Sequence, residues 1–545
     1  MRVAEAVGRT LVSLGVGQVF GVVGSGNFWA TRAMTDQGAR YVAARHEHGA
    51  TMMADAYSRM TGEVSVVSLH QGCGLTNAMT AITEAAKSRT PIVVVTGDTP
   101  PTTKTSNFWI DQESAITALG AEVERVHKGS TAVADTARAF HRAAGERRTV
   151  VLNMALDVQE REIDFSPESI PAAVPVAPSG TSEDGAEVVA RVLSEARRPL
   201  IVGGRGARYA REEIEALAEA SGALLATSGV ARGLFAGNPW YLDTMGGFSP
   251  PDVVDLITDA DAVVAFGASL NTWTTRDGTL LAGSRVVQVD VEREAIGRHA
   301  KPDHGVLGEA APVAAAATGR LSARPDEGYR TPEVRDRIVS GVRWQDQPFE
   351  DMGTDTTIDP RTATIALDEM LPDNRIVVPD GGNFNGYPAM FFSIPDADGY
   401  CLPLAFQSIG LAIGAAVGAA VARRDRIAIA GVGDGGFMMS LTELDTAVRE
   451  SLPVVIVVYN DAAYGAEVHH FAPETDDLAT VTFPETDVAA VARGFGCAAV
   501  TVRSVEDLAG VRGWVDGERR APLVVDLKIP QFPSWMIEHS FSAEK

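Results

Sequence analysis

GVGDGGFMMSLTELDTAVRESLPVVIVVYNDAAYGAE, residues 431–467, decides the fold. A first apolar run ends in Gly433-Asp434-Gly435, a helical stretch follows, and a second run, Leu452 to Tyr459, ends at Asn460-Asp461. Strand, turn, helix and strand in that order form a parallel crossover unit. Ligands of doubly wound sheets sit at the carboxyl ends of strands, and both acidic turns fall there. Asp434 offers a hard oxygen ligand. Gly435 and Gly436 let backbone N–H groups approach a phosphate, and Mg²⁺ can bridge the two. A Gly-Asp-Gly by itself is a common tight turn. The 24 residues between Gly435 and Asn460 (436–459) leave room for a helix and a returning strand, which a bare turn does not require.

The same alternation runs outward along the chain. Short β-branched runs recur at Val64–Leu69, Ile92–Thr96, Val150–Asn153, Pro199–Gly203, Ala262–Gly267, Val286–Asp290, Ile376–Pro379 and Ile427–Gly431, with helical stretches between them. This predicts an α/β protein built of doubly wound parallel sheets. Two stretches without hydrophobic periodicity, about Asp164 to Ala186 and about Arg320 to Pro360, read as linkers. They divide the chain into three units, 1–165, 185–320 and 355–545. A length of 545 residues fits that count.

Charge narrows the function. A formal net charge of -24 disfavours nucleic acid and anionic membrane surfaces as partners. Cys73, Cys401 and Cys497 have no pair spacing, which implies neither a disulfide framework nor a zinc site and fits a reducing cytoplasm. The opening MRVAEAVGRTLVSLGV lacks the pattern of a signal peptide, and no transmembrane span is expected.

The Gly433–Asp461 segment resembles the cofactor motif of thiamine-diphosphate enzymes. In that family the metal is held by the motif's aspartate, the second residue of a terminal Asn-Asn pair, and a backbone carbonyl two residues on. The resemblance implies Asp434, Asp461 and Ala463. Because the pair here is Asn460-Asp461, sequence alone leaves open which of the two ligates. Arg45-His46-Glu47-His48-Gly49-Ala50 with Met53-Ala54-Asp55-Ala56-Tyr57 is similar to the family's pyrimidine-binding signature. Glu47 would be its catalytic acid, a carboxyl shielded from water that promotes the imino form of the pyrimidine. Gln407-Ser408-Ile409-Gly410 resembles the segment that props the cofactor into its bent form. Ile409 would be the wedge and the Gln407 carbonyl would receive the pyrimidine amine. Asp380-Gly381-Gly382-Asn383-Phe384-Asn385 looks like the loop that meets the diphosphate from the other side, through Asn383 and Asn385. Tyr464 is also expected in the cofactor site.

The nearest likeness is to acetolactate synthases and benzoylformate decarboxylases, and it spans nearly the whole chain as pyrimidine-binding, middle and diphosphate-binding domains. Ser25 and His70 fall where benzoylformate decarboxylases carry a proton-relaying serine and histidine. Gln112 resembles a glutamine that reaches the reaction centre in acetolactate synthases. Glu467 falls where pyruvate decarboxylases place a catalytic glutamate, and Ala466 beside it suggests a roomy acceptor pocket. His469-His470 replaces the synthases' Gln-Trp pair, and Asn271-Thr272-Trp273 replaces an Asp-Asp-Arg run whose arginine pairs with a substrate carboxylate. Losing that partner costs about 1.5 to 3 kcal/mol.

The resemblance implies decarboxylation of a 2-oxo acid, carboligation of the resulting acyl carbanion, or both. A simple decarboxylase of benzoylformate type is the alternative, with 2-oxo acids or aldehydes as substrates. It also implies a homodimer or homotetramer with active sites between subunits. Ile201-Val202-Gly203-Gly204-Arg205-Gly206 misses the full dinucleotide spacing, so an FAD is not favoured in the middle domain. A non-catalytic relative has no need to keep Glu47, Asp434 and Ile409 together.

Overall fold

The computed structural model describes residues 1–172, 183–322, 324 and 326–540, which form three parallel sheets with helices on their faces. The first sheet comprises β1 (Gln18–Gly21), β2 (Arg40–Ala43), β3 (Ser65–Leu69), β4 (Ile92–Asp98), β5 (Glu122–Arg125) and β6 (Thr149–Ala155). The second holds β7 (Pro199–Gly203), β8 (Leu224–Thr227), β9 (Tyr241–Thr244), β10 (Ala262–Phe266), β11 (Arg285–Asp290) and β12 (His304–Leu307). The third holds β13 (Arg375–Pro379), β14 (Ile427–Gly433), β15 (Val454–Asn460), β16 (Ala498–Val502) and β17 (Leu523–Lys528). Their orders are β2-β1-β3-β4-β6-β5, β12-β11-β10-β7-β8-β9 and β13-β14-β15-β17-β16. The fold class read from the sequence is the fold observed.

Composition explains the parallel arrangement. Every residue of β14 and β15 is buried, so both faces of the sheet need covering, and crossover helices supply the cover. The helix Ala412–Ala422 is buried along almost its whole length. It packs on the helix Glu47–Thr61 of the first unit, and glycines on the shared face make the approach close. That contact belongs to one apolar cluster reaching from Phe20 to Val524.

The middle sheet has the strand order of dinucleotide-binding folds, which the glycine spacing alone did not reveal. At its switch point the Gly204 N–H donates to the Phe266 carbonyl at 2.8 Å and the Gly206 N–H to the Gly267 carbonyl at 3.1 Å. These backbone donors are turned to the neighbouring loop.

One expected linker is partly folded. Within 320–360 lies the helix Pro332–Gly341, capped by the Thr331 side chain, with Val334 and Ile338 buried against the middle domain. The other, Asp164 to Ala186, includes residues 173–182, which lie outside the described residues, and its end already belongs to the helix Glu183–Glu195. No helix among the described residues is long and apolar enough to cross a membrane.

Candidate active site

Strands β13, β14 and β15 are neighbours, so the turns that leave them share one edge of the third sheet. The register pairs Gly433 with Tyr459, which sets Asp434 level with Asn460 and brings Asp461 alongside it. The two carboxyls share a hydrogen bond. Burial pushes Asp434 up to about 6. Asp461 is pushed up to about 7, by burial first and then by repulsion from Asp434. Asn460 faces elsewhere: its Nδ2 donates to Asp526 Oδ1 at 2.9 Å and its Oδ1 accepts the Ala462 N–H at 3.3 Å. Of the Asn460-Asp461 pair, then, the aspartate meets Asp434. Two half-buried carboxylates that disfavour each other's ionisation form a donor set that a divalent, oxygen-seeking cation would relieve. The residues present fit Mg²⁺.

The glycines beside Asp434 are required sterically. A Cβ on Gly435 would lie 2.5 Å from the Tyr464 ring, and one on Gly436 would lie 2.8 Å from Asp380 Oδ2. Tyr464 is held edge-on against Phe483, with ring centroids 4.9 Å apart. Ala463, buried, bridges to Thr482.

Asp380 is a residue whose role the sequence did not reveal. Fully buried, it accepts the Gly410 N–H at 2.8 Å and the Leu411 N–H at 3.2 Å, and burial pushes it up to about 6. It therefore ties the loop after β13 to the Gln407–Gly410 segment. Asn385 Nδ2 donates to the Asp380 carbonyl at 2.6 Å. Asn383 spends both halves of its amide on the C-terminal segment, donating to the Phe532 carbonyl at 2.9 Å and accepting the Ser534 N–H at 2.8 Å. The two amides expected at the diphosphate thus each donate to protein backbone here. Gln531 Nε2 adds a bond to the Asp461 carbonyl at 2.8 Å, so the C-terminal segment straps two cofactor-motif loops together.

Ile409 is half-buried, and a Cβ on Gly381 would lie 3.2 Å from its Cγ2. Gln407 is exposed, holds a left-handed φ of 60°, and donates from Nε2 to the Leu404 carbonyl. Glu467 is exposed in the first turn of the helix Gly465–Phe471, and His469, half-buried on the same helix, is lowered by burial.

A second group gathers in the first domain. Glu47 begins the helix Glu47–Thr61, is half-buried, and accepts from Asn77 Nδ2 at 3.0 Å. A Cβ on Gly74 would lie 3.2 Å from His70 Cβ and 3.5 Å from Glu47 Oε1, so Glu47 and His70 flank that glycine. His70 Nδ1 is 3.0 Å from the Gln71 carbonyl, which can only accept, and this assigns the proton of the neutral ring to Nδ1. Nε2 is then the acceptor for the Ser25 hydroxyl at 3.3 Å. Phe108 lies against the His70 ring at 5.0 Å.

Gln112 does not project toward these groups. It is buried, its Oε1 accepts the Gly72 N–H at 2.8 Å, and its Nε2 donates to the Gly97 carbonyl and Asn153 Oδ1 at 3.0 and 2.8 Å. With its amide engaged in these bonds, it pins the turn after His70. The first turn of the Glu47 helix also meets the third domain: Glu443, pushed up by burial, accepts the His46 N–H at 3.0 Å and the Arg45 N–H at 3.3 Å. Glu443 sits in the opening segment's Thr-Glu-Leu, where nothing in the sequence separates it from a surface glutamate.

Protein-family models match in the same order as the three sheets. The N-terminal TPP binding domain of thiamine pyrophosphate enzymes matches residues 1–118, the central domain 186–317, and the C-terminal TPP binding domain 380–526. The chain belongs to the thiamine pyrophosphate enzyme family. As such it is a cofactor-dependent enzyme of the lyase and transferase kind, and thiamine diphosphate with Mg²⁺ is the cofactor pair. A sulfoacetaldehyde acetyltransferase from Castellaniella defragrans is 28% identical, over 93% of this chain and 89% of its own length. A probable acetolactate synthase large subunit from Methanocaldococcus jannaschii is 27% identical over 85% and 81%. An acetolactate synthase from Mycobacterium leprae is 25% identical over 96% and 86%.

Proposed function

We propose that this thiamine pyrophosphate enzyme cleaves the bond beside a carbonyl, releasing CO₂ or another fragment from a 2-oxo acid or related donor, and passes the remaining acyl carbanion equivalent to a proton or a second carbonyl. The observation that carries this reading is the facing pair Asp434 and Asp461 at adjacent strand ends, combined with Glu47 at a helix start beside His70. When bound, the cofactor supplies the carbanion and the electron sink. In this reading Asp434, Asp461 and the Ala463 carbonyl hold the metal, and Gly435 and Gly436 admit the diphosphate. Tyr464 would wall that turn, Ile409 would support the cofactor and the Gln407 carbonyl would receive its amine. Glu47 would be the carboxyl that exchanges a proton with the cofactor. His70, with Ser25 beside its Nε2, would offer that nitrogen for proton transfer, and Glu467 would serve at the acceptor side.

The Ser25–His70 pair favours a second reading, a simple decarboxylase that delivers a proton and releases an aldehyde. Sulfoacetaldehyde, which appears in the names of several relatives, belongs in the same test. Fragment release is measured from a panel of 2-oxo acids and sulfoacetaldehyde, with and without thiamine diphosphate and Mg²⁺, with Glu47→Gln as control. Release that needs the cofactor and is lost in Glu47→Gln supports the reading, and the products with added aldehydes divide carboligase from decarboxylase. Release that survives Glu47→Gln removes Glu47 from the reaction, and no release from any donor refutes the proposal.

Exposed apolar residues support an assembly of copies. Phe28, Trp29, Phe108, Trp109, Met438, Met439, Phe471 and Phe483 are large, apolar and exposed, and all lie beyond the carboxyl ends of β1, β4, β14 and β15. We propose that a second copy covers such residues in a symmetric homodimer or tetramer. A monomer in analytical ultracentrifugation with cofactor present would refute it.

A further inference from the structure

The helix Met79–Lys87 carries a carboxylate that the proposed chemistry does not use. Glu84 is fully buried, and its Oε2 accepts the Phe406 N–H, 322 residues away in the chain, at 2.7 Å. Its Oε1 accepts from Arg59 Nη2 at 2.8 Å and from the Ser88 hydroxyl at 3.1 Å. Arg59 in turn donates from Nη1 to the Leu402 carbonyl at 2.9 Å, and Asp55, one turn earlier, lies 2.7 Å from its Nη2. Thr90 closes the cluster on Asp55 Oδ1 at 2.6 Å. Two first-domain side chains therefore hold the main chain of the third domain at residues 402 and 406.

The position of this grip gives it a consequence. Gln407, with its left-handed φ of 60°, follows at once, then Ile409, then Gly410, whose N–H is fixed by Asp380. The 407–409 stretch hangs between an anchor in the first domain and an anchor in its own. A buried carboxylate with three hydrogen-bond donors, one of them a main-chain N–H, is an expensive device for mere packing, because an apolar contact would avoid the desolvation.

We infer that Glu84 and Arg59 are positioning residues: a latch between domains that holds the Gln407 carbonyl and Ile409 in place at the third domain's cofactor site. The inference rests on the cofactor roles proposed for those two residues. Neither latch residue touches the reacting atoms, and both act through the backbone of 402–406.

The test compares Glu84→Ala with Thr90→Ala, which loosens the same cluster at Asp55 without touching residues 402–406. Four quantities are measured on the full chain: amide hydrogen exchange of peptides covering 402–410, Tm, the near-ultraviolet circular dichroism of bound thiamine diphosphate with Mg²⁺, and kcat against KM with a donor from the panel. Glu84→Ala should speed exchange in 402–410, weaken the dichroic band at saturating cofactor, and lower kcat by about tenfold or more with little change in KM. Thr90→Ala should lower Tm while leaving the other three near wild type. A drop in Tm alone for Glu84→Ala, or equal effects from both variants, overturns the latch. Should Glu84→Ala fail to fold, Ser88→Ala, which removes one donor to Glu84 Oε1, carries the same comparison. If wild type itself shows no cofactor band and no turnover, the functional proposal falls, and hydrogen exchange still decides the latch.

Discussion

Gly418→Ala probes the contact on which the two halves of the site depend. A Cβ at position 418 would lie 2.6 Å from Met53 Cα and 2.7 Å from its carbonyl carbon, and closer still to its carbonyl oxygen. All three are backbone atoms, so no rotamer change relieves the clash. The helix Ala412–Ala422 lies against its own sheet and the helix Glu47–Thr61 against the first, both within one continuous core. The added methyl must therefore wedge the helices apart by about 1 Å. Overpacking of this kind costs about 3 kcal/mol at the upper end of its usual range. For domains of this size that lowers Tm by roughly 6 to 12 °C. Met53 is on the same helix as Glu47, so the displacement reaches the proposed proton-transfer carboxyl, and misplacement on that scale costs on the order of 100-fold in rate. Thermal unfolding and steady-state kinetics with saturating cofactor are the assays. Gly418→Ala with a wild-type Tm would show that the helices are not in this contact, and a lowered Tm with unchanged kcat would break the link between the crossing and Glu47.

Three further outcomes are expected. Asp380, ionising at about 6 in the folded protein against about 4 when unfolded, keeps a proton in the native state that the unfolded chain has lost. Stability should thus fall as pH rises from about 4 to about 6, by at most about 3 kcal/mol, and Asp380→Asn should flatten that part of a Tm-against-pH curve. An unchanged slope would show that Asp380 does not titrate there. Truncation after Ile529 removes the bonds from Gln531, Phe532 and Ser534 to the motif loops. At about 1 kcal/mol each, cofactor affinity measured by calorimetry should weaken by at least tenfold, and equal affinity would deny the strap. His70→Ala should lower kcat by about 100-fold and Ser25→Ala by less. The reverse order, read from steady-state rates, would show that the hydroxyl acts without the ring.

Much of this arrangement was legible because the chemistry and the sheet both demand particular residues in continuous runs. β13, β14 and β15 are unbroken apolar stretches ending in acidic or glycine turns, and a strand buried on both faces has no other appearance. The four-residue strands β1, β2 and β5 were not legible, since so short a run carries no period. Nor was the helix Pro332–Gly341, whose polar sequence places only a few side chains on the core. Asp461 could be picked as the metal-side residue by its likeness to a motif, but only the strand register turns it toward Asp434 and turns Asn460 toward Asp526.

Amides are hard to assign from sequence for a related reason. Asn383, Asn385 and Gln112 each offer a donor and an acceptor, which suit a phosphate, a substrate or a stray backbone group equally well. Which one they meet depends on a partner brought from elsewhere: Phe532 lies 149 residues from Asn383, and Asn153 lies 41 from Gln112. A carboxylate beside a glycine turn is less ambiguous, because burying it without a cation or several N–H donors is costly. Likeness to a motif therefore locates the charged centre of the site, while the polar groups that hold its loops in place become visible only when distant segments meet. Glu84, whose bond to Phe406 crosses from the first domain to the third, is of that second kind. In the sequence it is one glutamate among many, and its burial is what sets it apart.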